Sequence, residues 1–285
     1  MKIHHLNCCS MCPIGQRMIN GEGHWLAPAH LCAHVLLIEG HDGLMLVDTG
    51  LGTGDVTQPS RLGAMFRMLV RPVLRLEDTA FHQIRELGLD PRDVRHIVPT
   101  HLDLDHAGGL GDFPLAHVHV YARELNAAMH PSLLERARYK PAQWAHNPLW
   151  DVRELSGDRW MGFEAVRAVP GTQDEVLLVP LVGHTRGHCG VAVKTDRGWL
   201  LHAGDAYFHH LDLVDPGLAP WGLRVFQHIA QVNASMRLAN QQRLRELQDE
   251  HGHEVRIFCA HDPLELSQLR LEARSVGTSH RQAVA

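Results

Sequence analysis

Apolar residues fall into two rhythms along this chain. Short runs rich in Val, Leu and Ile, bounded by Gly, Pro or Asp, predict strands over residues 32–39, 44–48, 94–99, 117–121, 176–182, 191–195, 199–203 and 255–260. Longer stretches between them predict helices over 62–76, 79–87, 122–129 and 225–250. In the first, Leu62, Met65, Phe66, Leu69, Val70 and Val73 recur at three- and four-residue intervals, as an amphipathic helix requires. Asp78 stands at the N-cap position of the second, and Gly88 follows its end. Residues 147–163 carry Trp150 and Trp160 among polar neighbours and read as an irregular insertion. The tail 275–285 loses apolar periodicity and reads as frayed. With no repeat and no dividing linker, a single α/β domain over 1–285 is expected.

Composition narrows the class. At 285 residues and 45% hydrophobic content the chain has ample material for a core, which excludes a disordered protein. A net charge of −5 with no Lys/Arg run argues against nucleic-acid and anionic-membrane partners. No apolar stretch reaches the roughly 18–20 residues of a membrane span. Residues 1–5 turn polar too soon for a signal peptide, so a cytoplasmic location is expected. Six cysteines in such a chain do not suggest a disulfide framework. Cys8, Cys9 and Cys12 cluster near His4 and His5, but no second C-x-x-C arm follows, so they read as structural thiols rather than a zinc site. Cys189 and Cys259, in or beside apolar runs, read as small core residues. Histidine is the anomaly, with 24 copies against 27 Lys and Arg together. Imidazole is the commonest metal-ligating side chain, so this excess points toward metal chemistry.

The predicted strand 94–99 runs into Thr100-His101-Leu102-Asp103-Leu104-Asp105-His106, followed by Ala107-Gly108-Gly109. In extended chain, residues 101, 103 and 105 share one side, and a turn can bring His106 round as a fourth metal-capable group. The Gly pair permits a tight turn just after them. Three further strands end alike, in Gly183-His184-Thr185-Arg186-Gly187-His188, in Gly204-Asp205-Ala206-Tyr207, and in His261-Asp262-Pro263. Strand ends are where ligand sites assemble in layered α/β folds. Four ends carrying His and Asp together point to a dinuclear metal site.

With these landmarks, Asp48-Thr49-Gly50 included, the chain resembles the metallo-β-lactamase-fold hydrolases. The order of the motifs is the family's, and they span residues 44 to 262. Within that group, residues 78–109 and the Gly-His-Thr-x-Gly-His run look most like acyl-homoserine lactonases. The resemblance implies a four-layer αββα sandwich and two divalent metal ions, zinc by family habit. It implies that His101 and His184 hold the first metal, that Asp105, His106 and His261 hold the second, and that Asp205 bridges them. Asp48 would support the ligands without joining them. One position departs from the family's H-x-H-x-D-H: Asp103 stands where the second His belongs. The superfamily's diiron flavoproteins carry a carboxylate there, but this chain lacks room for their flavodoxin-like module after residue 262. As a direct ligand, Asp103 would shift preference toward Mn or Fe without excluding Zn.

The implied chemistry is hydrolysis by a metal-bound hydroxide, with Asp105 moving the proton. Tyr207 would donate to the developing oxyanion, its alternative being core packing. His188 is either a partner of a ligand or a helix-end residue; His209 and His210 lie on a solvated loop or at the pocket rim. The expected partner is a small-molecule ester or lactone-type substrate. The stretch 62–76 and the Trp-bearing insertion would wall its pocket, or else form a second helix layer or the face of a homodimer. Two alternatives compete: a phosphoester hydrolase, for which Arg186 and Arg224 are the nameable basic groups, and a non-catalytic binding relative, against which the complete ligand set speaks.

Overall fold

The computed structural model describes residues 1–154, 158–169 and 175–282. Strands β1 (Lys2–Met11), β2 (Leu31–Gly40), β3 (Gly43–Val47), β4 (Val94–Val98), β5 (His117–Tyr121) and β6 (Leu149–Arg153) form one sheet in that order. The pairs from β1 to β3 are antiparallel, and those from β3 to β6 are parallel. A short hairpin, β7 (Arg159–Trp160) with β8 (Phe163–Glu164), precedes the second sheet. That sheet contains β9 (Val166–Arg167), β10 (Val176–Pro180), β11 (Cys189–Thr195), β12 (Gly198–His202) and β13 (Val255–Phe258) in the order β13-β12-β11-β10-β9.

Helices α1 (Gln16–Ile19), α2 (Thr53–Thr57) and α3 (Ala64–Leu69) follow the early strands; α4 (Ala80–Glu86) and α5 (Ala122–Met129) cover the first sheet. After β12 come α6 (Trp221–Ala230) and α7 (Ala234–His251), and α8 (Pro263–Gln282) closes the chain. Period-two alternation sends β2 side chains to two cores. Leu36 and Ile38 meet Val176, Leu178, Val191 and Val193 between the sheets. Val35 and Leu37 face outward with Ile97 and Val118 against Ala80 and Ile84 of α4 and Ala127 of α5. On the far side, Leu181, Leu201 and Ile257 pack on Leu244 and Leu247 of α7. Covered on both faces, β2 is buried from residue 31 to 38, which explains a run that is apolar except for His34. Each fully buried aliphatic side chain contributes about 1.5–3 kcal/mol. The result is the four-layer αββα sandwich. Among the described residues no helix is long and apolar enough to cross a membrane.

Several elements differ from the expected pattern. The helix over 62–76 shrinks to α3. Pro72 lacks an amide proton and disfavours helical backbone in the residue before it. Arg71 adopts φ 52°, and Pro72 instead bridges to Met11 beside β1. Thr79, rather than Asp78, caps α4, its hydroxyl accepting from the His82 amide. The helix over 225–250 is two helices, broken where the Val232 and Asn233 amides donate to the Gly183 carbonyl, and Val232 also to that of His184. Asn233 then caps α7 by accepting from the Met236 amide. The region 147–163 holds β6 and the β7–β8 hairpin; residues 155–157 lie outside the described residues. β1 was not expected, because a register shift between Asn7 and Ser10 breaks its alternation. That shift buries both neighbouring thiols in different cores, Cys8 under α4 and Cys9 with Leu62, Leu104 and Phe208, so they do not converge on a metal. Helix α8 continues to Gln282 through most of the tail expected to fray; residues 283–285 lie outside the described residues.

Candidate metal centre

The loop after β4 is oriented by its apolar residues. Leu102 enters the core beneath the first helix layer and Leu104 enters the cluster around Leu62 and Phe208. His101, Asp103 and Asp105, which alternate with them, are left for the opposite side. The His106 and Ala107 amides both donate to the Asp103 carbonyl at 3.0 Å, closing the turn that brings His106 back to the group.

Two clusters assemble: His101, His184 and Asp205, and Asp105, His106 and His261. Asp205 faces both. Its Oδ2 stands 3.4 Å from His184 Nε2 and 3.8 Å from His101 Nε2, and its Oδ1 stands 3.3 Å from His106 Nε2 and 3.1 Å from His261 Nε2. Asp105 Oδ2 lies 3.8 Å from His261 Nε2. Asp103 comes to the first cluster, with Oδ2 3.0 Å from His184 Nε2 and 3.5 Å from His101 Nε2. Ligands about 2.1 Å from a tetrahedral ion stand roughly 3.4 Å apart, and these separations scatter around that value. The buried atoms His101 Nε2, His106 Nε2, Asp103 Oδ1 and Asp205 Oδ1 have no hydrogen-bond partner among the described residues. Such orphans cost about 1–3 kcal/mol each unless something satisfies them. The donor set therefore fits divalent cations.

The far sides of the His101, His106 and His261 rings are fixed by the fold. His106 Nδ1 bonds to Asp48 Oδ2 at 2.9 Å, His261 Nδ1 to the Cys32 carbonyl at 2.7 Å, and His101 Nδ1 to Thr100 Oγ1 at 2.9 Å. Thr100 in turn donates its amide and hydroxyl to Asp48. Protons held on Nδ1 leave the Nε2 lone pairs for the centre. Asp48 thus braces His106 directly and His101 through Thr100, from a left-handed backbone at φ 58°. His188 supports too: its Nδ1 bonds to the Leu181 carbonyl, and its Nε2 accepts from the Asp205 amide at 2.9 Å. Only glycine fits at Gly204, with φ 55°, because a Cβ there would stand 2.6 Å from that same Nε2.

Electrostatics follow the geometry. Burial would raise the Asp103 carboxyl, but Arg138 and His101 hold it well below the usual range. Burial likewise opposes a charged Asp205, and His261, His106 and His184 outweigh it. For His106 burial works against the cation, yet Asp205 and Asp48 raise it well above the usual imidazole value.

Two contributing residues lie outside the motifs. Glu124, in the first turn of α5, accepts from the Leu102 amide at 2.9 Å, the Thr185 hydroxyl at 2.6 Å and the Gly187 amide at 3.1 Å, tying two ligand loops together. A carboxylate in the first turn of the helix that follows β5 is its one sequence signal. Arg138 places Nη1 3.5 Å from Asp103 Oδ1 and donates to the carbonyls of His184 and Ala230. Nothing in its local sequence marks it.

Tyr207 needs correction as a catalytic candidate. Its ring is fully buried with the α7-side core and its hydroxyl donates to Glu265 at 2.9 Å, so it does not reach the cavity. His209 and His210 form a third cluster with Asp262, whose oxygens are already engaged by the His210 ring and amide and by the Leu264 and Glu265 amides.

A cavity of about 1050 Å³ opens onto Asp103, Asp105, His184, Asp205 and His261. Leu62, Met65, Phe66, Leu69 and Val70 form one wall, and Leu223, Phe226 and Ile229 of α6 form another. The stretch 62–76, though broken, does supply a pocket wall.

A probable metallo-hydrolase of Mycobacterium tuberculosis is 43% identical over 264 residues, covering 92% of this chain and 81% of its own. An N-acyl homoserine lactonase of Bacillus thuringiensis is 28% identical over 162 residues, covering 56% of this chain and 58% of its own. Among solved structures, a mutant of B. thuringiensis AiiA with N-decanoyl-L-homoserine bound at the active site superposes with TM-score 0.70 at 23% identity, covering 94% of this chain and 95% of that one. A dizinc quorum-quenching lactonase superposes at 0.59 and 17% identity, covering 92% and 87%. The family model described as the metallo-beta-lactamase superfamily matches residues 33–257. By this match and the motifs in their places, the chain belongs to the metallo-β-lactamase superfamily.

Proposed function

We propose that this chain is a hydrolase that holds two divalent cations and cleaves an acyl ester or lactone. One observation carries the reading: Asp205 faces four imidazoles from opposite oxygens, beside a largely apolar cavity. His101, Asp103 and His184 would hold one cation and Asp105, His106 and His261 the other, with Asp205 shared. Two dications held there would supply a lowered pKa for bound water and polarisation of the scissile carbonyl. Asp48, Thr100 and the Cys32 carbonyl keep the imidazoles aimed. Asp105, half-buried and facing the cavity, accepts a proton at its carboxylate and delivers it to the leaving oxygen. The walls from α3 and α6 take up an apolar acyl group and exclude water.

The walls favour acyl over phosphoryl substrates. Arg186 is engaged by Glu135 at 2.8 Å, and Arg224 rests on the Gly217 carbonyl away from the cavity lining. Metal analysis combined with a lactone, a thioester and a phosphodiester as substrates tests the reading. Two equivalents of Zn, Mn or Fe and turnover of the acyl compounds are expected. A single equivalent, or turnover of the phosphodiester alone, overturns it.

A further inference from the structure

The basic side chains lining the cavity are Arg138, Lys140 and Arg186. They are not equivalent. Arg138 faces Asp103 and two carbonyls, and Arg186 makes a two-point pair with Glu135 through Nε at 2.8 Å and Nη2 at 3.0 Å. Lys140, half-buried, has neither an ion pair nor a hydrogen bond at its ammonium among the described residues. Its ammonium stands over Gly63, 3.6 Å from where a Cβ there would be, on the wall shared by Ala64, Met65 and Phe66. Gly63 has φ 80°, a backbone that disfavours any side chain covering the ammonium. The charge gains nothing from α3 either, because the start of a helix repels cations. Withdrawing an ammonium into an apolar wall is unfavourable unless an anion meets it, and burial does lower the Lys140 pKa with no carboxylate opposing it.

We propose that Lys140 is the anion subsite of this cavity: it receives a carboxylate or phosphate oxygen of the substrate, separate from the scissile carbonyl. The substrate class is then an acyl compound with an apolar chain and an anionic group. This rests on the acyl-hydrolase reading and narrows it. Arg138 and Arg186 are committed within the protein, so the discrimination falls to Lys140.

The probes are p-nitrophenyl hemiesters of dicarboxylic acids of graded length, against p-nitrophenyl alkanoates of the same lengths. For at least one length the wild type favours the hemiester in kcat/KM by about ten-fold or more. Lys140→Met abolishes that preference through KM, leaving metal content and the uncharged esters unchanged, and Lys140→Arg restores it. An unchanged charged-to-neutral ratio in Lys140→Met at every length overturns the proposal. If no ester of either kind is cleaved, the lactone and thioester assays decide the hydrolase reading, and calorimetric titration with the free dicarboxylates and monocarboxylates decides the subsite by itself. Tighter dicarboxylate binding that disappears in Lys140→Met supports it, and equal binding in both proteins overturns it.

Discussion

Replacing Arg138 by Met should destabilise the metal-free protein much more than the metal-loaded one. The guanidinium stands 3.5 Å from Asp103 Oδ1, and the two side chains are 15% and 12% exposed, so water screens them little. At an effective dielectric of about 20, their gross attraction is about 5 kcal/mol. Removing one member of such a buried pair costs about 3–5 kcal/mol, because the other charge is left without compensation. The same substitution strips donors from the carbonyls of His184 and Ala230, a loss of about 1 kcal/mol each that metal does not alter. A cation held by Asp103 would supply the missing positive charge. The penalty in the loaded protein should therefore fall to about 2 kcal/mol, the share of the carbonyls. By linkage, the difference of about 3–5 kcal/mol must reappear as metal binding about 150- to 5,000-fold tighter in the variant. Urea unfolding with and without metal reads the first quantity, and competition against a chelator reads the second. In an Asp103→Asn background the difference should vanish. Equal losses in both states, with metal affinity unchanged or weaker, would show that Arg138 merely clasps carbonyls and that the charge argument is wrong.

Tyr207→Phe should leave kcat unchanged while costing about 1–2 kcal/mol, since only the hydrogen bond to buried Glu265 is lost; a hundred-fold fall in kcat would return Tyr207 to the reaction. Asp103→His should shift metal preference from Mn or Fe toward Zn and lower the pH midpoint of activity by about one unit; identical metal selectivity and pH profile would place Asp103 outside the ligand set. His119 is pushed down to about 3 by burial, His96 and Arg153. Neutral in the folded protein, it binds a proton near its ordinary 6.5 once unfolded, so its stabilisation is complete above pH 6.5 and is lost as pH falls toward 3. Compared with His119→Gln, the wild type should lose up to about 1.4 kcal/mol more per pH unit across that window; parallel stability curves would contradict this.

The candidate ligands were legible because each lies just past the end of an apolar strand, where local pattern and chemistry coincide. His101, His184, Asp205 and His261 follow β4, β10, β12 and β13. Sequence did not reveal what holds them, since those contacts join residues distant in the chain: Glu124 reaches Leu102 and Gly187, and Arg138 reaches Asp103 and Ala230. Periodicity overran the helices for a related reason. The break after α6 is set by amides that donate to the Gly183–His184 turn, a tertiary demand invisible in the spacing of Val225 to Glu250. Pro72 was the exception, a local stop signal that the apolar stripe obscured. Tyr207 failed because proximity to Asp205 in sequence does not decide which side of a turn a ring takes; here Glu265 and the α7-side core take it.

Asp103 and Arg138 make sense together. A neutral imidazole at position 103 would add a nitrogen donor and no charge. The carboxylate adds an oxygen donor and one negative charge, and the guanidinium 3.5 Å away adds one positive charge. Their sum is again near neutral, so with Asp103 as a ligand the variant motif would change the hardness of the donor while nearly preserving the field at the centre. It follows that Asp103→His alone does not recreate the family pattern: it leaves Arg138 facing the cations with no anion between, a like-charge contact that should weaken metal binding. Adding Arg138→Met should relieve that repulsion and raise affinity above that of the single variant. If the double variant binds metal no better, the two residues are not an electrostatic unit, and the departure at Asp103 needs another cause.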